Sequence, residues 1–410
     1  MSIIYERASV ALAALIAVAC IGSAQSAVPA AQSTLLISLD GLRWDYPDKV
    51  ATPALDRIVA NGARVRRLIP VFPTETFPNH YSIVTGLRPE QHGIVSNNMY
   101  DAEFDARFSL GDNPENQRSR WWGGEPVWVT AMKAGLRASA FFWPGSDVAI
   151  LGHRPEPWNR FDADVPFEVR WRSAVDWLSR PQSERPHIVT LYFELLDNAG
   201  HFNGPDATET RNAIRRADSI VGSILDALET AGVLEEINVI VTGDHGMAPT
   251  YPDSILFLDD HIDLDGVDVV HWTPVLALNP EPDYADEVLR KLSGVAGLRL
   301  YRRDETPTAW HYRSHSRIPA LVGVADPGWT ITSRPFYERN NRRINPGAHG
   351  YDPSLLDMHT TLLAMGPGIR PGARLDSLSN LHIYEFLCAL LGIDPAPNDG
   401  DLAAVRGLLQ

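Results

Sequence analysis

Several apolar runs in this chain close on an acidic residue, and that habit limits the folds open to it. TLLISLDG (34–41) ends in Asp40 and a glycine, PHIVTLYFELLD (186–197) ends in Asp197, and INVIVTGDHG (237–246) ends in Asp244 with His245 beside it. Near-continuous apolar runs of this length, without polar alternation, mark strands buried on both faces. ASAFFWPG (138–145) has the same pattern. Helical patterns lie between them. TPALDRIVANG (52–62) opens on Thr-Pro and closes on Gly, EPVWVTAMKAG (125–135) and VRWRSAVDWLS (169–179) follow, and residues 208–232 form a long amphipathic stretch ending in Gly. Strands alternating with helices predict an α/β fold: a doubly wound, mostly parallel central sheet with helices on both faces.

At 410 residues the chain is longer than one small core requires. From about 250 to 345 the texture changes, with aromatic residues, Arg and Pro interleaved around a helix expected at about 283–293. This reads as an insert packed near the top of the main sheet, so residues 27–410 are read as one domain carrying a small α/β subdomain. The core pattern returns in HTTLLAMGPGIRPG and NLHIYEFLCALLG, and the polar tail from Pro395 is expected to be loosely held. At the other end, ASVALAALIAVACIGSA (8–24) precedes an A-x-S site at Ala24–Ser26 and reads as a secretory leader over 1–26. The alternatives are an uncleaved anchor and lipid attachment at Cys20, although Cys20 lacks the usual bulky aliphatic residue three positions before it. Removal of the leader leaves Cys388 as the lone cysteine, so no internal disulfide is available and Cys388 is expected to be buried and inert. A net charge of −15 disfavours binding to a nucleic-acid backbone or an anionic membrane. A small anionic substrate stays open, because bound cations reverse the field locally.

Ligands of open α/β sheets bind beyond the carboxyl ends of the strands. Asp40, Asp197 and Asp244 are placed there, and carboxylates gathered at one edge repel one another without a cation. Asp197 opens D-x-x-x-H with His201, and His245 follows Asp244. Carboxylate with imidazole suits zinc better than magnesium. Each piece has a plainer reading: a strand-end Asp is commonly a helix N-cap, and His80, His153, His187 and His271 read as structural or solvated. Co-location of the strand ends is what favours a two-metal site. PTETFPNH (73–80) then adds two threonines before a helix start, with Pro78 near its first position and Gly86 after its last turn. A hydroxyl there faces the positive end of a helix, where it can meet both an anion and a metal. From the spacing, Thr74 and Thr76 are both candidates, and a simple cap remains the alternative for either.

At this point the chain resembles a family. LLISLDGLRWDY, PVFPTETFPNHYSIVTGLRPEQHGIVSNNMYD, FFWPGSD, ELLDNAGH, VTGDHGM and NPGAHGYD occur in the order and spacing of the nucleotide pyrophosphatase/phosphodiesterase family of the alkaline phosphatase superfamily. The likeness runs from about Thr34 to Leu391, and the block from Pro70 to Asp101 is its most specific part. The resemblance implies an alkaline-phosphatase-like fold and selects Thr76, directly before Phe-Pro-Asn, as the nucleophile. It implies two zinc ions per chain, one held by Asp197, His201 and His349, the other by Asp40, Asp244 and His245 with the Thr76 oxygen. Asn97 would donate its amide to a phosphate oxygen. Phe77 and Phe161 match the positions that stack on a nucleotide base, Phe161 standing where the family often has tyrosine. The implied reaction is hydrolysis of a nucleotide phosphodiester or pyrophosphate to a nucleoside 5′-monophosphate through a covalent threonine intermediate. A monoesterase would want Arg or Lys near phosphorus, whereas Arg43 and Arg88 read as surface or supporting residues. The alternatives are a choline-phosphate-releasing phospholipid diesterase, a monoesterase or sulfatase on the same scaffold, and a metal-binding module without catalysis. Leader and low cysteine content together suit a bacterial member exported to the periplasm; the expected partner is a small nucleotide or phosphodiester, with no nucleic-acid polymer and no membrane span after processing.

Overall fold

The computed structural model describes residues 32–111 and 114–410. The leader expected at 1–26, with Cys20, lies outside the described residues. The main sheet is built from β1 (Ser33–Leu39), β2 (Ala63–Ile69), β3 (Ala138–Phe141), β4 (Trp158–Asn159), β5 (Ile188–Phe193), β6 (Ile237–Thr242), β7 (Thr360–Met365) and β8 (Arg374–Ser379). Their spatial order is β8-β2-β7-β6-β1-β5-β3-β4. All neighbours are parallel except for the pairs that β7 makes with β2 and β6. The α/β, mostly parallel architecture expected from the alternating pattern is therefore the one observed.

The apolar runs sit at the centre because both of their faces are covered. Leu35, Ile37 and Leu39 of β1 pack on one side with Ile214, Val221, Ile224 and Leu228, which come from one long helix. Leu36 faces the other side, in the core that includes Ile83, Val84, Phe386 and Leu387. Each such aliphatic side chain, withdrawn from water, stabilises the fold by about 2 kcal/mol. The helices around the sheet include α1 (Pro53–Asn61), α2 (Thr76–Thr85), α3 (Leu195–Asn203), α4 (Thr208–Thr230) and α5 (His382–Leu391), of which α2 and α3 carry candidate site residues. Cys388, on α5, is buried and unpaired.

Within 250–345 a separate antiparallel sheet forms, in the order Val267–His271, Val275–Pro280, Leu321–Ala325, Leu298–Arg302. The expected helix is present as Ala285–Leu292, and its Val288 and Leu292 join Leu276, Leu278 and Leu321 in a core of its own.

Two expectations change. The strand read as running to Asp197 stops at Phe193, and Asp197 lies in the first turn of α3. The apolar Leu195 and Leu196 that seemed to extend the strand are instead buried by the helix. The tail from Pro395 is not loose. Val405 and Leu408 are fully buried in the main core, and the Gln410 amide donates to the Gly368 carbonyl. A few well-spaced apolar residues suffice to dock a segment that is polar on average.

Candidate metal centre

Four chain segments bring the candidate ligands to one end of the sheet. β1 delivers Asp40 immediately after its last residue, and β6 delivers Asp244 and His245 two and three residues after Thr242. On α3, Asp197 and His201 are four residues apart and share a helix face. His349 arrives on a loop after the insert. Gly41 makes the approach possible. Its backbone is left-handed (φ 71°), and a Cβ there would come within 3.0 Å of the Asp197 backbone. Its amide donates to Asp244 Oδ1 at 3.1 Å, tying the ends of β1 and β6 together.

His245 stands in the middle. Its Nε2 is 3.1 Å from Asp244 Oδ2, 3.4 Å from Asp40 Oδ1 and 3.3 Å from Thr76 Oγ1. Its ring stacks on that of His349 with centroids 3.6 Å apart. On the other side, Asp197 Oδ1 lies 3.3 Å from His201 Nε2 and 3.5 Å from His349 Nε2. Ligand atoms of Asp40, Asp244 and His245 fall within 4.8 Å of one another, as do those of Asp197, His245 and His349. Asp197, His201 and His349, expected as one set, do come together, and His245 also lies close to Asp197 and His349.

The donor set fits divalent cations on three counts. First, the Nδ1–H groups of His201, His245 and His349 donate to the carbonyls of Gly347, Gly246 and Thr74, each at 2.9 Å. A carbonyl can only accept, so Nδ1 carries a hydrogen in each, and Nε2, which faces the carboxylates, is the nitrogen that can ligate a metal. Second, Asp40 Oδ1, Asp197 Oδ1 and Asp244 Oδ2 are buried without a hydrogen-bond partner, which native structures seldom tolerate. Third, the carboxyls are in electrostatic conflict. Burial, then the charges of Asp244 and Asp197, push Asp40 well above the usual carboxylate range. Burial also opposes the charged form of Asp244, but His245 and His80 hold it below that range. Burial and the neighbouring His245 and His201 push His349 well below the ordinary imidazole value, so it stays neutral.

The two threonines differ. Thr74 is fully buried, and its Oγ1 donates to the Tyr351 carbonyl at 2.8 Å and accepts from the Gly350 amide at 3.0 Å. Thr76 is the first residue of α2 and keeps 8% exposure, with Oγ1 directed at the cluster. Asn97 Oδ1 accepts from the Phe77 amide at 2.9 Å, which fixes the amide orientation and leaves Nδ2–H as its free donor. Phe77 packs on Phe108 and Trp122, whereas Phe161 packs on Phe142 and Tyr192, so the two rings lie in separate aromatic clusters. Arg88 pairs with Asp399. Arg43 is not a surface residue: it is buried and donates to Asp45 and to the Met247 carbonyl.

Sequence reasoning did not single out the supports, although it read His80 as structural. Tyr192, which reads as one more apolar residue of β5, donates its hydroxyl to Asp40 Oδ2 at 2.6 Å. His80, fully buried, places Nδ1 3.2 Å from Asp244 Oδ2 and Nε2 2.8 Å from Ser38 Oγ. Glu75 Oε2 accepts from Ser96 Oγ at 2.8 Å and from the Asn97 amide at 2.7 Å, holding Asn97 beside Thr76. The available signal was position: all three sit within five residues of a predicted site residue, in segments that otherwise read as core or loop.

The profile of the family described as type I phosphodiesterase / nucleotide pyrophosphatase matches residues 34–352. Human ectonucleotide pyrophosphatase/phosphodiesterase family member 5 is 35% identical over 384 residues, covering 93% of this chain and 79% of that protein. Mouse bis(5'-adenosyl)-triphosphatase is 38% identical, with 92% and 81% covered. Human family member 1 is 36% identical over 92% of this chain, and here the chain spans only 42% of the relative's length. Among solved structures, murine ectonucleotide pyrophosphatase/phosphodiesterase 5, in an inactive threonine-to-alanine form with AMP, superposes with a TM-score of 0.88 at 34% identity, covering 92% of this chain and all of that one.

Proposed function

The chain belongs to the type I phosphodiesterase / nucleotide pyrophosphatase family, and on that premise we propose that it is a metal-dependent hydrolase of nucleotide phosphodiester or pyrophosphate bonds. The products are nucleoside 5′-monophosphates, and the reaction passes through a covalent ester of Thr76. Asp197, His201 and His349 would hold one zinc ion, and Asp40, Asp244, His245 and the Thr76 oxygen the other. Bound there, the ions would lower the pKa of the Thr76 hydroxyl and offset the charge of the phosphate in an in-line displacement.

The chain's own groups supply the rest. Thr76 Oγ1 attacks phosphorus, a P–O bond to threonine forms, and the bond to the leaving oxygen breaks. Water then cleaves the threonine ester, releases the monophosphate and restores the hydroxyl. Asn97 Nδ2–H, left free by the bond from Phe77 to Oδ1, donates to a non-bridging phosphate oxygen as charge develops. Phe77, beside Thr76, and the half-exposed Phe161 offer rings for the base. Thr76 starts a ten-residue helix, so its amide end favours the anion. The relatives point the same way: nucleotide pyrophosphatases/phosphodiesterases, a bis(5'-adenosyl)-triphosphatase, and a threonine-to-alanine form that is inactive. The leader and the single remaining cysteine suit export to a periplasm, and no helix among the described residues is long and apolar enough to cross a membrane.

One observation carries the reading: buried, partnerless carboxylate oxygens meet carbonyl-anchored histidines in front of one available threonine. Thr76→Ala should lower turnover of nitrophenyl-TMP roughly a thousandfold or more, while zinc content by metal analysis stays unchanged. Chelation should abolish wild-type activity and zinc should restore it. Near-normal turnover of Thr76→Ala defeats the assignment. Faster turnover of nitrophenyl-phosphocholine than of nitrophenyl-TMP moves the substrate to phospholipids.

A further inference from the structure

A cavity of about 630 Å³ reaches the metal centre between Asn97, His201 and His349 and is walled on its far side by the insert. That volume is in the range that holds an organic ligand. Neither Phe77 nor Phe161 lines it, so it is distinct from the rings assigned to the base. A phosphodiester has two arms, and with the nucleoside at Phe77 the second arm needs another opening.

The chemistry of the walls is selective. At the inner end His271 places Nε2 3.1 Å from Glu75 Oε1, and Asn98 Nδ2 donates to its Nδ1 at 3.0 Å. His271 is thereby committed to Glu75 and offers no spare cation to a ligand. Further out, Val269, Trp272, Ile331 and Phe336 supply apolar surface. Phe336 is 55% exposed and adds to that apolar surface. Arg343, which is exposed, is the one Lys or Arg among the described lining residues. A pyrophosphate leaving group carries several charges that need Lys, Arg or backbone donors close by, and apolar walls penalise its desolvation.

Building on the phosphodiesterase reading, we propose that this cavity receives the leaving group and selects an uncharged one with an apolar body over a polyphosphate. A second nucleoside and an alkyl or aryl alcohol share that chemistry.

The test uses wild type, Trp272→Ala and Phe336→Ala on four AMP derivatives: the nitrophenyl ester, the octyl ester, the ester with a second nucleoside, and ATP. Phe336 is exposed on a short helix, so its truncation keeps the test open if Trp272→Ala misfolds. We expect each variant to lower kcat/KM about five- to tenfold for uncharged leaving groups and to leave ATP within twofold. A loss confined to the nucleoside ester identifies a nucleoside leaving group, and one confined to the octyl and nitrophenyl esters identifies an alkyl or aryl alcohol; both support selection. Equal losses on ATP and the esters, or no loss on any, overturn the cavity's role while leaving the phosphodiesterase reading intact. No wild-type turnover of any of the four overturns both.

Discussion

Thr74 and Thr76 differ in what already occupies their hydroxyls. Thr74 spends both hydrogen-bonding directions on the 350–351 backbone, and its carbonyl receives His349 Nδ1–H. It is a brace for the histidine loop. Replacing it with valine keeps the shape and removes both hydroxyl bonds, leaving a buried amide and a carbonyl poorly served, at a cost of about 1–3 kcal/mol. Thr74→Val should therefore weaken zinc affinity roughly tenfold or more through the His349 loop, read by competition with a chromophoric chelator. Unchanged affinity would show that the loop is held by something else. Asn97 is tuned differently, with one end of its amide fixed and the other free. Asn97→Ala should cost about 10²–10³ in kcat with little change in metal content.

At the scale of elements, the sheet and its helices fix where ligands can stand. α3 begins two residues after β5 ends, so Asp197 is presented by a helical turn rather than by a strand, and His201 follows on the same face. α1 is held by a residue far away in sequence: Asp218 of α4 accepts from the amides of Ala54 and Leu55 at 3.0 and 2.9 Å. Thr52, the residue that reads as the natural cap, makes no such bond and instead donates to the Pro47 carbonyl. Asp218, 4% exposed, thus caps one helix from within another. Asp218→Ala should destabilise the protein by about 1–2 kcal/mol, measured by urea unfolding, with Asp218→Asn recovering much of the loss. A change under a few tenths of a kcal/mol in the alanine variant would deny the cap.

For the whole molecule, the insert matters because it closes one side of the centre, and buried polar links anchor it. Arg317 joins the segment after the insert's helix to the block that follows α2. Its Nε donates to Asp101 Oδ2 at 2.6 Å, and its Nη1 donates to the Gly93 and Trp121 carbonyls, both at 2.8 Å. Both partners of the ion pair are about 6% exposed. Arg317→Met would leave Asp101 and the carbonyls without their donor and should cost about 3–5 kcal/mol. A shift in the denaturation midpoint worth less than about 1 kcal/mol would mean that water replaces the arginine.

Much of this protein was already written in one dimension. Unbroken apolar runs such as LLISL, VTLYF and NVIVT can be satisfied only by a sheet covered on both faces, and the polar residues that end them fall at its carboxyl edge. That reasoning picked out Asp40, Asp197, His201, Asp244 and His245 as candidates, Asp197 in spite of a strand that stops at Phe193, and it narrowed the candidate hydroxyl to Thr74 or Thr76. Local patterns carry such information because burial on two faces and helix start signals depend on near neighbours. The remainder was decided by residues that meet only after folding. His349 lies in a glycine-rich loop with no periodicity, Tyr192 and His80 look like core, and Glu75 and His271 are nearly two hundred positions apart. Three-dimensional proximity decides which polar atoms are left without partners, and the hydroxyl of Thr74 is spent while that of Thr76 is not because only the folded chain brings Gly350 and Tyr351 against one and the histidine cluster against the other.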